Sequence, residues 1–193
     1  MRLNPPLTIL ALVGACLGAL MLQREVDLAK QTQVRRAQCD VALSYIKTTK
    51  PVSEKPIFYS EEPERVAKLE DIINFLAQKP ELVNDPDIAV ARKQAKAGGR
   101  SPVNECATAK VWLDKNGIRR GKVGPWEDLD RNDEYPAEII RMSIPVFSDD
   151  GSMAYMNVSH YFGPLGGGGM ALIFRKSRSG SWEVVSKIGT YIS

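Results

Sequence analysis

The sequence predicts an α+β domain in which an N-terminal membrane or signal helix is followed by several helices packed on a C-terminal four-stranded antiparallel meander. Three observations predict it. Residues 139–193 alternate apolar and polar side chains with period two, which only a strand can sort onto two faces. Turn chemistry separates the alternating runs. Upstream, apolar residues recur at helical spacing between glycine and proline stops.

The meander comes first because its pattern is the clearest. Ile140, Met142, Ile144 and Val146 share one face of the first run, and Ala154, Met156, Val158 and Phe162 one face of the second. Met170, Leu172 and Phe174 do so in the third, and Trp182, Val184, Ile188 and Ile192 in the fourth, opposite Glu183, Lys187 and Tyr191. Asp149-Asp150-Gly151-Ser152 and Ser177-Arg178-Ser179-Gly180 are hairpin connections, where glycine supplies a positive φ. Pro145 lacks a ladder donor, so the first run is an edge strand or carries a bulge there.

At the other end, Leu7 to Leu22 is apolar apart from Thr8. As a helix it spans roughly 24 Å, a little short of a hydrocarbon core of about 30 Å. Residues 1–22 therefore read as a signal anchor or a cleaved signal peptide, 23–138 as the mainly helical part of the domain, and 139–193 as its meander. Gly14 and Gly18 form a Gly-x-x-x-Gly face of the kind that lets two membrane helices approach, so a homodimer through them is one expected contact. A helix from Gln23 to Thr48 stops at Lys50-Pro51. Lys55 to Ser60 reads as a short connector for which an extended form is one option, and Ser60 as the cap of a second helix that ends before Pro80. Asp85 to Ala97 and Ser101 to Gly117 make two more, the latter turning Cys106, Ala109, Trp112 and Leu113 inward.

A net charge of +3 with no basic stripe interleaved with aromatics argues against nucleic acid as a partner. Of three cysteines, Cys16 lies in the apolar run, leaving Cys39 and Cys106 as a disulfide candidate if the chain is exported. No Cys-x-x-Cys occurs and the chain has one histidine, so no metal finger or other cofactor is expected. Asp128, Asp130 and Asn132 match the first ligand positions of a calcium loop, but its required glycine and closing glutamate are absent at the right spacing. They read as a solvated polar loop.

The sole histidine, His160, falls on the apolar face of the second run beside Gly166, Gly167 and Gly168. Catalysis would need a nucleophile and an orienting acid, and adjacent Ser159 points the other way. The glycines lead into a strand, not a helix, so they do not form a phosphate cradle. His160, Tyr161 and these glycines stand as ligand or partner contacts, with no catalytic residue assigned.

The closing segments Ser143 to Gly151, Gly163 to Gly168 and Gly180-Ser181-Trp182-Glu183-Val184-Val185 resemble the tail of uncharacterised exported bacterial proteins. The Gly-x-Trp-x-Val-Val strand is also similar to the last strand of cone-shaped folds of the cystatin and nuclear-transport-factor type, which implies helices against a curved antiparallel sheet and no particular site residues. Together these features lead us to expect a non-enzymatic binding or interaction module. It would sit at the bacterial inner membrane with a periplasmic domain, or be secreted to the periplasm. Its partners would be the membrane and an envelope protein. The alternatives are an accessory subunit of a membrane complex, and a small hydrolase or isomerase using His160.

Overall fold

A computed structural model describes residues 5–51, 54–64, 74, 77–78, 80–82, 86–97, 99–122 and 134–192. Side chains are described throughout these ranges except at 5–20, 82, 86–88, 91, 95, 97 and 190–192. The chain forms two units, Met1–Ala37 and Gln38–Ser193.

The first unit belongs to helix α1 (Pro5–Thr48). Met21, Leu22, Val26, Leu28 and Val34 are exposed on it. Among the described residues no helix is long and apolar enough to cross a membrane. The membrane-spanning helix expected over residues 1–22 is therefore not found among them; the side chains of residues 5–20 fall outside the described ones, and from Arg24 onward α1 carries a charge every few residues. Gly14 and Gly18 fall where side chains are not described.

Among the described residues the second unit is built on one sheet of seven strands, which overturns the expected four-stranded antiparallel meander under several helices. The strands are β1 (Ile57–Pro63), β2 (Arg119–Gly121), β3 (Glu138–Met142), β4 (Val146–Phe147), β5 (Met153–Tyr161), β6 (Gly167–Lys176) and β7 (Trp182–Ile192). Their order is β2-β1-β3-β5-β6-β7, with β4 also on β5. β1 runs parallel to both β2 and β3, whereas β3 through β7 pair antiparallel, so the sheet is mixed. A parallel pair is joined by a long crossover rather than a tight turn. No local hairpin signal announces it.

The stretch read as a connector and a helix cap is β1. Ser60 Oγ does accept the N–H of Glu62 at 3.0 Å, as a cap would. But Phe58, Tyr59 and Ser60 pair with β2 on one side and β1 with β3 on the other, and the ladder holds the backbone extended. The rest of that expected helix lies largely outside the described residues. Two further helices, α3 (Pro102–Glu105) and α4 (Ala107–Lys115), replace the single one expected after Ser101, and α2 (Pro86–Ala97) precedes them. Cys106 breaks the pair with an extended backbone.

The first run of the meander also divides. Pro145 separates β3 from β4, and its carbonyl accepts a bond from the buried Gln38 Nε2 at 2.8 Å. The fourth run carries a bulge: Ile173 pairs with Ser186 and Phe174 with Val184, leaving Val185 without an opposite number. Beyond it the alternation inverts. Lys187 opposes the buried Leu172, while Ile188, expected on the core face, opposes Ala171 on the other and is exposed.

One face of the sheet carries the main core. Val41, Tyr45 and Ile46 of α1 pack with Val103, Cys106, Ala109 and Leu113 onto Ile140, Met142, Met156, Val158, Leu172 and Phe174. The disulfide Cys39–Cys106, with Cα atoms 5.4 Å apart, ties α1 to the start of α4 across 67 residues. Such a bridge belongs to an oxidising compartment. Closing a loop of that length stabilises the fold by about 4 kcal/mol in the chain-entropy account. Reduction, or the double substitution Cys39→Ser/Cys106→Ser, is expected to lower unfolding free energy by about that amount in urea titrations, with the far-ultraviolet spectrum unchanged.

Candidate functional site: a buried Glu–His–Tyr chain beneath a cleft

Alternation places Glu138, Ile140 and Met142 on the core face of β3. His160 of β5 pairs directly with Ile140, and Tyr59 of β1 pairs with Ile140 from the other side. The row therefore brings an acid, an imidazole and a phenol together over the sheet. Glu138 is fully buried and His160 is 6% exposed. His160 Nδ1 lies 2.5 Å from Glu138 Oε1. On its other side, His160 Nε2 is 3.0 Å from Tyr45 Oη of α1. With a hydrogen on Nδ1 donated to the carboxylate, Nε2 accepts from the Tyr45 hydroxyl.

Burial pushes the Tyr45 phenol up to about 12; the Thr49 side chain pulls it back in part, and the charge of Glu138 adds to the rise. Burial raises Tyr59 as well. Both phenols therefore stay neutral over the physiological range and act through their hydrogens and lone pairs, not as phenolates.

Tyr45 and His160 form part of the wall of an open cleft of about 580 Å³. Met170, Trp182 and Val184 line it with apolar surface, and Lys50, Glu183 and Lys187 with charge. A second depression of about 430 Å³ shares Ser44, Thr48 and Trp182 with it and continues past Asp40, Leu43 and Lys47. Between them runs a groove with α1 on one side and the start of β7 on the other. The hydroxyls on this wall are committed to the helix: Ser44 Oγ donates to the Val41 carbonyl, Thr48 Oγ1 to Ser44, and Thr49 Oγ1 to Tyr45.

The residues expected to form contacts do not all converge. Tyr161 lies on the opposite face, where its ring carries the Arg141 guanidinium 5.3 Å above it and its hydroxyl donates to Glu64 at 3.4 Å. Gly167 and Gly168 are ladder residues opposite Tyr161 and His160. A Cβ on Gly167 would stand 2.8 Å from the His160 carbonyl oxygen, so the glycine lets β6 close on the histidine's strand rather than receive a ligand. Gly166 accepts the Phe162 N–H at 2.8 Å in the turn. Asp128, Asp130 and Asn132 lie outside the described residues. Among the described residues no group of three or more acids, histidines or cysteines could hold a metal ion.

Glu138 and Tyr45 are the members that sequence reasoning missed. A signal for the first was present: a lone acid at the head of Glu138-Ile139-Ile140-Arg141-Met142, in phase with the core residues. Tyr45 was visible only as part of an apolar helical stripe. No family model, no curated protein and no solved structure matches the chain.

Removing one member of a buried pair leaves the other uncompensated, at about 3–5 kcal/mol. His160→Leu is expected to destabilise by that amount in urea, and the double variant Glu138→Gln/His160→Leu to recover part of it. The phenol gives a separate signature. Below pH about 10 Tyr45 is protonated whether folded or unfolded; between about 10 and 12 only the unfolded chain loses the proton. Stability therefore falls as pH rises through that window. Tyr45→Phe is expected to shrink the fall, read from urea midpoints at stepped pH.

Proposed function

We propose that the chain is a non-enzymatic, exported binding module of the bacterial cell envelope that holds a small molecule in the cleft over Tyr45 and His160. One observation carries this reading. The cleft has the size of a small-molecule site and its makeup, an apolar wall of Met170, Trp182 and Val184 with a few convergent polar groups. The disulfide supports the exported setting, since such bridges persist outside the reducing cytosol. The side chains offer little for bond breaking. The wall hydroxyls of Ser44, Thr48 and Thr49 are spent on helix carbonyls, and Tyr45 is kept from ionising.

Acid–base chemistry by His160, as in an isomerase, is favoured by one observation, the Glu138 carboxylate that orients Nδ1. Native mass spectrometry of the protein purified from its own host separates the two. A retained molecule that remains chemically unaltered after prolonged incubation supports the binding module. Conversion of that molecule, lost in His160→Gln, supports the enzyme. In a simpler assay the neutral dye N-phenylnaphthylamine is expected to bind and to be displaced by octanol, with Val184→Asp weakening it about tenfold or more. A dye affinity indifferent to Val184→Asp would sink the cleft as the site.

A further inference from the structure

We propose that the cleft takes a carboxylate carried on a short apolar body, and that it binds this anion together with one proton. The proposal rests on the binding-module reading above and names its ligand class.

The first observation is the placement of charge. Lys50 and Lys187 line the cleft against one acid, Glu183. Neither lysine makes an ion pair among the described residues. Lys187 is there because of the bulge. An unbroken strand in phase with Val184 would turn it to the opposite face, but the extra residue at Val185 sets it opposite Leu172, on the face that His160 occupies. Bulges re-aim side chains in this way beside binding sites.

The second observation is the order of the buried chain. Glu138 holds one imidazole nitrogen, Tyr45 the other, and Tyr45 itself lines the cleft. The phenol has a single hydrogen to place. With a neutral imidazole, Nε2 accepts that hydrogen and Tyr45 turns lone pairs toward the cleft, which repels an anion. With a protonated imidazole, Nε2–H donates to Tyr45 Oη, and the phenolic hydrogen is released to the cleft. The Glu138 carboxylate then balances the imidazolium, so the buried pair carries no net charge. A carboxylate seated between Tyr45 and Lys187 selects the protonated form, and by linkage the binding takes up a proton from solvent.

The groups that face His160 leave this balance in place. Tyr45 of α1, Thr49 just beyond its end and Tyr59 of β1 are uncharged hydroxyls, and Glu138 of β3 is the acid within hydrogen-bond reach. Across the cleft stand Lys50, Glu183 and Lys187, with one positive charge in excess.

The test titrates the full chain with octanoate and with neutral octanamide by calorimetry, from pH about 5.5 to about 8 in buffers of different ionisation enthalpy. Octanoate affinity is expected to fall about tenfold across that pH interval, with measurable proton uptake; octanamide affinity stays level. Lys187→Gln weakens octanoate about tenfold and octanamide by less than about twofold. Tyr45→Phe abolishes the pH dependence, and should that variant fail to fold, the exposed Lys187 carries the test alone. Octanamide binding as tightly as octanoate, or octanoate binding without pH dependence, overturns the proposal while leaving the cleft a binding site. Failure of both compounds together with the neutral dye overturns the binding-module reading itself.

Discussion

The carboxylate of Glu138 is the constraint to which the rest of the structure answers. A charged group with no access to water must be paired and hydrogen-bonded, or its desolvation outweighs what the surrounding core contributes. The pairing comes from β5, whose register sets His160 opposite Ile140, two residues from Glu138. A slip of one residue would turn the imidazole to the other face, away from the acid. The imidazole in turn needs a partner for its second nitrogen. Tyr45 supplies it from α1, which is why this part of the helix is fastened twice, by the disulfide to Cys106 and by the Gln38 bond to the Pro145 carbonyl.

The same requirement gives β1 its place. Inserted between β2 and β3, it shields the head of β3, where Ile57 pairs with Glu138, and the Glu138 N–H donates to the Pro56 carbonyl at 2.9 Å. Its acidic tail is matched to its neighbours. Arg120 of β2 reaches Glu61 and Arg141 of β3 reaches Glu62, each at 2.8 Å. Half-exposed pairs of this kind stabilise by little individually, and their role is to fix which strand lies beside which. The cleft lies against this frame, lined by the last turns of α1 on one side and the start of β7 on the other.

What could be read in the residues follows the range of the interactions. Local alternation found the antiparallel ladder of β5 and β6, because each hairpin is fixed by its own turn. It missed β1, since the pattern of Ile57-Phe58-Tyr59-Ser60 is too short to speak for itself and its partners lie about 60 and 80 residues onward. It misjudged Lys187 and Ile188, because one unpaired residue inverts a period-two code that looks unbroken in the sequence. The pairing of Cys39 with Cys106 was legible by elimination, whereas the meeting of Glu138, His160 and Tyr45 was not. It depends on three separate elements whose juxtaposition exists only in the folded chain.

The bulge at Val185 has one more effect. Among the described strands β7 is the last in the sheet, eleven residues long, with Val185 and Ile188 open to solvent. A flat, regular border of this length is a template onto which another molecule can add strand by strand, the first step toward fibrillar growth. Register shifts at Val185 and again between Tyr191 and Gly189 break the even spacing of the outward donors and acceptors and twist the border. The irregularity that gives the cleft its lysine thus also makes this border a poorer template for a neighbouring copy.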